Sequence, residues 1–225
     1  MIKAIVCDIE GTTTSLSFVK DTLFPYTRQR MAGFIEEHYN DPAVAPLIDD
    51  VKNAMDQPHA SLHEVAAQLI RWIDEDKKIT PLKAIQGLIW ESGYQQGDYH
   101  GHLYDDAYQR LKQWHDAGIG LYIFSSGSVY AQKLLFSHSR FGDLTPLFSG
   151  YFDTNIGAKQ DADAYHAIAD RIGRPASEIM FLSDIDRELD AAKAAGFRTV
   201  WLVRDGPFTA SSRHPQVGNF HDIAL

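Results

Sequence analysis

The sequence predicts an α/β fold: a parallel sheet with helices on both faces, and a second, helical domain inserted near the start of the chain. From about residue 99 onward, short apolar runs alternate with helical stretches, which is typical of a parallel sheet. A further apolar run, residues 2–7, opens the chain, whereas residues 15–98 have little strand signal. We therefore predict a core domain of residues 1–14 and 99–225 and an inserted helical domain of residues 15–98.

The elements of the first hundred residues follow from local signals. Residues 2–7 form a short apolar run next to acidic residues, which predicts a first core strand rather than a leader peptide. Residues 34–39 belong to an amphipathic helix that ends at the Asn-Asp-Pro of residues 40–42. Ser61 with Glu64 forms a capping-box pattern that opens a second helix, and Thr80-Pro81 opens a third.

The remaining elements alternate in type. The predicted strands cover residues 120–124, 151–152, 179–182 and 199–203, and the predicted helices cover residues 107–117, 165–172 and 189–195. Each of these helices is directly followed by a glycine, which is predicted to end it: Gly118, Gly173 and Gly196. This strand–helix rhythm supports the parallel sheet.

Composition excludes several classes of protein. A net charge of -9 over 225 residues argues against a nucleic-acid partner held through its phosphates. No apolar stretch approaches the roughly 20 residues that cross a membrane. The single cysteine, Cys7, cannot form an internal disulfide and is predicted to be a small buried side chain, and with no visible leader this favours the cytoplasm. The histidines have no zinc-site spacing, and His214 and His221 are predicted at the surface.

Polar residues follow the predicted core strands, where ligands of open parallel sheets bind. These residues are Asp8 and Glu10, Ser125 and Ser126, Lys159, and Asp184. Asp8 and Glu10 point to the same side of an extended backbone because side chains alternate. Each has an ordinary alternative explanation as a solvated acid, a helix cap or a solvated lysine. Their coincidence at one sheet edge predicts a functional site.

Phosphoryl transfer suits this set of residues. Asp8 can act as a nucleophile, and Glu10 can protonate the leaving oxygen and later deprotonate the attacking water. Asp8 and Asp184 offer the carboxylate oxygens that Mg²⁺ prefers. Hydroxyl groups and backbone N–H groups near Ser125 can hold phosphate oxygens, and Lys159 can pair with both Asp8 and the phosphate. The expected reaction is a metal-assisted phosphate transfer.

The ordered motifs resemble those of the haloacid dehalogenase-like phosphohydrolases. The match consists of residues 8–12, the strand into Ser125, then Lys159, then Asp184 with Glu188. The resemblance implies a Rossmann-like core, with the helical insertion as a cap domain. Glu10 stands where a second aspartate is more usual, which keeps an acid/base group but adds a methylene.

A narrower resemblance, to the enolase-phosphatase family of methionine salvage, extends through the insertion. It is carried by residues 8–14, 17–20, 23–26, 82–83, 86–90 and 125–128. It implies enolisation and then dephosphorylation of 2,3-diketo-5-methylthiopentyl 1-phosphate, giving the acireductone 1,2-dihydroxy-3-keto-5-methylthiopentene. It also implies a cytoplasmic monomer with one Mg²⁺ per chain. The implied ligands are Asp8, Asp184 and the backbone carbonyl of Glu10 for the metal, with Glu188 supporting them, and Ser125, Ser126 and Lys159 for the substrate.

One helix face of the insertion is a candidate for substrate contact. Lys83, Gln86, Gly87 and Trp90 have the spacing of a single face. We predict Lys83 and Trp90 as substrate-binding residues, while a partly buried packing face explains the same pattern equally well. The base for enolisation is left open, with Glu91 and Glu64 as candidates.

Three alternatives remain at the level of sequence. A phosphoacceptor receiver module, used in signalling, also places acids, a hydroxyl residue and a lysine at strand ends, but it needs no insertion. A metal-free dehalogenase of the same fold would not need Glu10 or the acids near Asp184. A phosphatase acting on another small sugar phosphate shares the core motifs and is distinguished only by the inserted domain.

Overall fold

The computed structural model describes all 225 residues as two compact units. The core unit comprises Met1–Leu16 and His100–Leu225, and the helical unit comprises Ser17–Tyr99. Each unit has its own apolar interior, which is what allows a segment of this length to be inserted into another fold.

The core unit is built on one parallel sheet of six strands in the order β3-β2-β1-β4-β5-β6, which confirms the predicted fold class. The strands are β1 (Ala4–Cys7), β2 (Gly120–Phe124), β3 (Gly150–Phe152), β4 (Ile179–Ser183), β5 (Arg198–Leu202) and β6 (Gln216–Val217). All five predicted strands are present with ends shifted by two residues or fewer. The two-residue strand β6 carries no apolar run and was not predicted.

The register of the central strands places their carboxyl ends side by side. Cys7 pairs with Ile123 of β2 and with Leu182 of β4. The residues that follow these strands therefore emerge at one edge of the sheet. Every residue of β1 and β4 is buried, as expected for parallel strands covered on both faces. Cys7 is buried as predicted, and its burial raises the pKa of the thiol.

Nine α-helices complete the two units. They are α1 (Leu16–Phe18), α2 (Phe24–His38), α3 (Ala45–Ala54), α4 (Leu62–Asp74), α5 (Thr80–Gln96), α6 (Asp105–Asp116), α7 (Val129–Ser137), α8 (Ala162–Ile172) and α9 (Asp186–Ala194). The capping box predicted for α4 is confirmed, because Ser61 and Glu64 satisfy each other's backbone N–H groups. Helix α5 begins at Thr80 with Pro81 in its first turn, also as predicted.

The helical unit packs α2, α3, α4 and α5 around an apolar interior that includes Met31, Ile35, Leu69 and Ile85. Val19–Leu23 forms a π-helix directly before α2, a feature with no signal in the sequence. No helix of the structure combines the length and apolar character required to cross a bilayer.

The prediction that His214 lies at the surface is wrong. Its side chain is buried, with Nδ1 2.8 Å from Thr199 Oγ1 and Nε2 3.0 Å from Asp190 Oδ1. The ring connects β5 to α9, a long-range arrangement that residue spacing does not reveal. His221 is exposed as predicted.

Candidate active site

The first motif forms a tight turn at the end of β1. Asp8 is buried, and its N–H donates to the carbonyl of Leu182 on the neighbouring strand β4 (2.9 Å). In the turn, the carbonyl oxygen of Ile9 accepts the N–H groups of three consecutive residues, Thr12 to Thr14, at 2.9–3.2 Å. Gly11 has a φ of 73°, which favours glycine. The turn is therefore closed by its own backbone and carries Asp8 and Glu10 on either side of Ile9.

The turn packs closely against the end of β4. A Cβ atom added to Gly11 would overlap the carboxylate of Asp184. Glycine is thus required here twice, for its positive φ and for the close approach of Asp184. The pairing of β1 with β4 brings Asp8 and Asp184 to the same edge of the sheet, as predicted.

A buried lysine holds the carboxylate of Asp8. Lys159 Nζ lies 2.5 Å from Asp8 Oδ1 and 2.7 Å from Glu188 Oε2, and all three side chains are at least nine-tenths buried. The Lys159 carbonyl accepts a hydrogen bond from the Tyr165 hydroxyl (2.7 Å), which fixes the backbone that carries the lysine. A buried ion cluster is costly to desolvate, so its presence at a strand edge favours a functional explanation.

The charges in this cluster shift one another's pKa values. Burial alone would lower the pKa of Lys159, but the negative charges of Asp8 and Glu188 outweigh it and raise that pKa above its usual value. Lys159 is therefore a fixed cation at neutral pH. Burial, and then the charge of Asp8, raises the pKa of Glu188 and raises the pKa of Asp184 to about 7.

Asp184 has the properties expected of a carboxylate that binds a cation. Its Oδ1 atom is buried with no hydrogen-bond partner, and its pKa is raised by burial and then by the neighbouring charge of Asp8. No group of three or more His, Cys, Asp or Glu side chains is arranged to hold a metal ion. A divalent cation here would use the two carboxylates together with backbone carbonyl and water ligands, a donor set that suits Mg²⁺.

The other predicted core residues differ in exposure. Glu10 is exposed at the tip of the turn, separate from the buried cluster around Lys159. Ser125 is buried at the end of β2, where its Oγ accepts the N–H of Gly127 (3.1 Å), whereas Ser126 is exposed. Ser128 caps α7 through the N–H of Ala131. The loop between β2 and α7 thus presents hydroxyl and N–H groups at the same sheet edge as Asp8.

The structure distinguishes the acids that follow Asp184. Glu188 is buried and accepts hydrogen bonds from Ser183 Oγ (3.0 Å) and Lys159. Asp186 is exposed, and its carboxylate accepts the N–H of the adjacent Arg187. Glu188 therefore belongs to the cluster around Asp8, while Asp186 begins helix α9.

Lys83 and Trp90 lie on α5 in the helical unit, both partly buried. Gln86 and Gly87 between them are buried, so this face takes part in packing within the unit. Trp90 Nε1 donates to the carbonyl of Leu23 (3.1 Å), which gives its ring an internal anchor. The substrate-binding role of Lys83 and Trp90 stays a prediction.

Two residues near the turn were missed by sequence reasoning. Ser183 Oγ donates to Glu188 and accepts the N–H of Ile185, at the end of β4. Arg204 donates two hydrogen bonds to the carbonyl of Thr12 in the turn. An arginine directly after a predicted core strand is a signal that could have been used, because such positions lie at the ligand-binding edge.

Comparison with known proteins agrees with this geometry. The family model of haloacid dehalogenase-like hydrolases matches residues 2–196. The enolase-phosphatase E1 of Methylococcus capsulatus is 61% identical over 223 residues, which cover 99% of this chain and 98% of the relative. That of Serratia proteamaculans is 52% identical over 225 residues, covering 100% of this chain and 98% of the relative.

Solved structures share the fold of this chain over nearly its whole length. The UTR4 protein of Saccharomyces cerevisiae has a TM-score of 0.84 at 31% identity, covering 99% of this chain and 100% of that chain. An L-2-haloacid dehalogenase of Xanthobacter autotrophicus has a TM-score of 0.59 at 17% identity, covering 99% and 96%, which shows a shared fold alone.

The chain belongs to the haloacid dehalogenase-like hydrolase family and, within that class, to the enolase-phosphatase E1 family. The predicted family and the predicted enzyme class, a phosphatase, are thereby confirmed.

Proposed function

We propose that this enzyme enolises 2,3-diketo-5-methylthiopentyl 1-phosphate and then removes the phosphate, giving the acireductone of methionine salvage. Relatives that are 51–61% identical over nearly their whole length carry the name enolase-phosphatase E1, which names both steps. The observation that carries the phosphatase step is the buried contact of Lys159 with Asp8, 2.5 Å, beside Asp184. A carboxylate held by a fixed cation at this sheet edge is oriented for attack on an anionic ester.

In the first half of the phosphatase step, an oxygen of Asp8 attacks the phosphorus atom. The bond from phosphorus to the ester oxygen breaks, and Glu10 gives its proton to that leaving oxygen. The exposure of Glu10 at the tip of the turn suits a group that must reach a substrate oxygen. In the second half, Glu10 takes a proton from water as the water oxygen attacks the phosphorus atom. The bond from phosphorus to the Asp8 oxygen breaks, which restores the carboxylate and releases inorganic phosphate.

Asp8, Asp184 and the backbone carbonyl of Glu10 would hold one Mg²⁺. When bound, Mg²⁺ reduces the repulsion between the anionic nucleophile and the anionic phosphate. Glu188 supports this site by accepting hydrogen bonds from Lys159 and Ser183.

Ser125, Ser126 and Lys159 bind the phosphate. The buried Ser125 lies in the turn before α7, so neighbouring N–H groups can also donate to phosphate oxygens. The cationic Lys159 contributes charge on the side of Asp8, where negative charge accumulates during transfer.

The helical unit supplies the cap, and Lys83 and Trp90 on α5 contact the carbon skeleton of the substrate. Of the two candidate bases for enolisation, Glu64 is the weaker one. Its carboxylate accepts the N–H and the hydroxyl of Ser61, and these hydrogen bonds lower its pKa. Glu91, which is partly buried on α5, is the better candidate. The substrate is a small phosphorylated diketone, and the enzyme works as a cytoplasmic monomer.

The test follows the two steps separately. The purified protein is mixed with the diketo phosphate and Mg²⁺, and the absorbance of the enediol and the release of phosphate are recorded together. We expect the enediol signal to precede phosphate release, and chelation of Mg²⁺ to stop phosphate release. Phosphate release without enediol would favour the alternative of a phosphatase for another small sugar phosphate.

The metal assignment has a matched pair of variants. Asp184→Asn removes a proposed ligand, and Asp186→Asn makes the same change at an exposed acid two residues away. We expect the first to raise the Mg²⁺ concentration that gives half-maximal activity and the second to leave it unchanged. Equal behaviour of the two variants would contradict the assignment.

A further inference from the structure

A largely buried arginine binds the turn that carries Glu10. Arg204 Nε and Nη2 both donate to the carbonyl oxygen of Thr12, at 3.1 and 2.7 Å. Its Nη1 lies 2.7 Å from Asp106 Oδ2, and the exposed fractions of these two side chains are 11% and 16%. Three of the donor groups of one guanidinium are therefore fixed in one plane, a geometry that the compact ammonium of lysine does not reproduce.

The surroundings of Arg204 fix its position from other sides. The guanidinium carbon lies 4.0 Å from the ring centroid of Tyr104 and 5.2 Å from that of Phe220, so both rings can interact with the cation. Asp106 Oδ2 also accepts the N–H of Phe220, at 2.7 Å. The segment from β5, helix α6 and the C-terminal segment thus meet at Arg204, all within the core unit.

The turn is held from outside mainly through its carbonyl groups. Besides the contact from Arg204 to Thr12, the N–H of Tyr104 donates to the carbonyl of Thr13 (3.0 Å), and Thr14 Oγ1 donates to the carbonyl of His102 (2.7 Å). The Arg204 contact is the nearest of the three to Glu10 along the chain. It is also the only one of these three made by a charged group, and charge-assisted hydrogen bonds are the stronger kind.

We propose that Arg204, fixed by Asp106, is a positioning residue for Glu10. It acts through the carbonyl of Thr12 to hold the turn in the geometry in which Glu10 reaches the leaving oxygen. The inference rests on the proposed function, in which Glu10 donates the proton to the oxygen released from phosphorus. Arg204 itself touches neither the phosphate nor the reacting atoms.

This role has a specific kinetic signature. An alkoxide leaving group needs a proton in the transition state, whereas p-nitrophenolate is stable enough to depart without one. A residue that positions the proton donor therefore matters most for poor leaving groups. A residue that only stabilises the fold lowers the activity toward all esters equally.

The experiment measures kcat/KM for a series of aryl and alkyl phosphates of rising leaving-group pKa, in saturating Mg²⁺. The variants are Arg204→Gln, Arg204→Lys and Glu10→Gln. We expect Arg204→Gln to lower kcat/KM for alkyl phosphates about tenfold to a hundredfold, and for p-nitrophenyl phosphate by less than about threefold. Glu10→Gln should likewise lower kcat/KM more for alkyl phosphates than for p-nitrophenyl phosphate. The losses in Arg204→Lys should lie between those of the wild type and Arg204→Gln.

Arg30→Gln is the matched control. Arg30 also lies over a tyrosine ring, 3.9 Å from the Tyr26 centroid, and pairs with an aspartate, Asp98, at 2.9 Å, but it belongs to the helical unit. Its removal should leave the leaving-group dependence unchanged. The proposal would be overturned if Arg204→Gln lowered kcat/KM equally for every ester. It would also be overturned if the dependence of kcat/KM on leaving-group pKa changed in Glu10→Gln but in neither Arg204 variant.

Amide hydrogen exchange gives a readout that does not depend on activity. In Arg204→Gln, the amides of residues 11–14 should exchange faster than in the wild type, while Arg30→Gln should leave them unchanged. Unchanged protection of this turn would overturn the proposal whatever the kinetics show. If the wild type hydrolysed no phosphate ester, the proposed function would fail, and the exchange result alone would decide whether Arg204 holds the turn.

Discussion

The two units of this protein use oppositely charged side chains in different ways. In the core unit, Lys159 contacts Asp8 and Glu188 with all three side chains almost wholly buried. In the helical unit, Arg28 makes a bidentate contact with Asp74, but both side chains are about half exposed. The contact distances are similar, 2.5–2.7 Å and 2.7–3.1 Å, so geometry alone does not distinguish the two sites.

Burial is what separates them. An exposed ion pair contributes little to stability because water and salt screen it. A buried cluster costs several kcal/mol to desolvate and is retained only where its members satisfy one another or perform chemistry. The comparison therefore places the buried charged cluster in the core unit. The proposed function adds that the helical unit selects the substrate. Three predictions test this division, in order of decreasing effect, and a fourth concerns a half-buried histidine of the core unit.

Asp8→Asn should have the largest effect. Amide nitrogen and oxygen cannot replace the attacking carboxylate, so phosphate release should fall by about 10⁴-fold or more, a loss of about 5 kcal/mol of transition-state stabilisation. Enolisation makes no bond to Asp8, so the enol phosphate should accumulate. The measurement is single-turnover phosphate release with enediol absorbance on the same sample, and near-normal turnover would exclude Asp8 as the nucleophile.

Lys159→Met should destabilise the fold. It leaves two buried carboxylates without their cation, which we expect to lower the free energy of unfolding by about 3–5 kcal/mol in metal-free buffer at pH 8. The loss should shrink as the pH is lowered, because Glu188, whose pKa is raised by burial and then by the charge of Asp8, takes up a proton. Urea denaturation measures it, and Arg28→Ala is the exposed control, for which we expect no resolvable change in midpoint. Similar midpoints for both variants would remove the distinction between the units.

Lys83→Ala and Trp90→Ala test the proposed role of the helical unit. If the helical unit selects the substrate, each variant should lower kcat/KM for the diketo phosphate by about tenfold or more, through lost contacts with the carbon skeleton. Activity toward p-nitrophenyl phosphate should remain within about twofold of the wild type, since the residues of the core unit are unchanged.

Trp90→Phe separates contact from packing, because it keeps an aromatic ring and loses the hydrogen bond to Leu23. It should retain most of the activity if the ring contacts substrate. Equal losses on both substrates, with a lowered free energy of unfolding, would mean that this face of α5 serves packing alone.

The smallest predicted effect belongs to a half-buried group. His102 Nδ1 accepts the N–H of Ser15 (3.1 Å), and burial, followed by the charge of Arg140, lowers the pKa of the ring. Because this pKa is lower in the folded than in the unfolded state, its contribution to stability is full above the unfolded value near 6.5 and is lost as the pH falls below it. Solvent screening limits that contribution to less than about 1 kcal/mol.

We expect the free energies of unfolding of the wild type and His102→Phe to converge as the pH is lowered from 7 to 5. Chemical denaturation at several pH values measures the difference. A difference that stays constant across this range would show that ionisation of His102 is not linked to folding.

Much of the site was predictable because its residues directly follow buried strands. The apolar runs before Asp8, Ser125 and Asp184 are short, continuous and bounded by polar residues, and this pattern requires only local information. Parallel pairing then brings strand ends to one edge of the sheet, whichever strands are neighbours. The sequence by itself therefore determined the fold class, the family and the identity of the acids and the lysine near the site.

Tertiary structure decided which of these groups touch. Lys159 is separated from Asp8 by 151 residues, and Arg204 from Thr12 by 192, so no periodicity links them. The distinction between Glu188 and Asp186 likewise depends on which side of the first turn of α9 faces the interior. His214 looked like a surface residue because its partners, Thr199 and Asp190, are contributed by other elements. Local patterns determine where a residue lies relative to the end of a strand or helix. The burial of its side chain and its contact partners arise only when distant segments pack together.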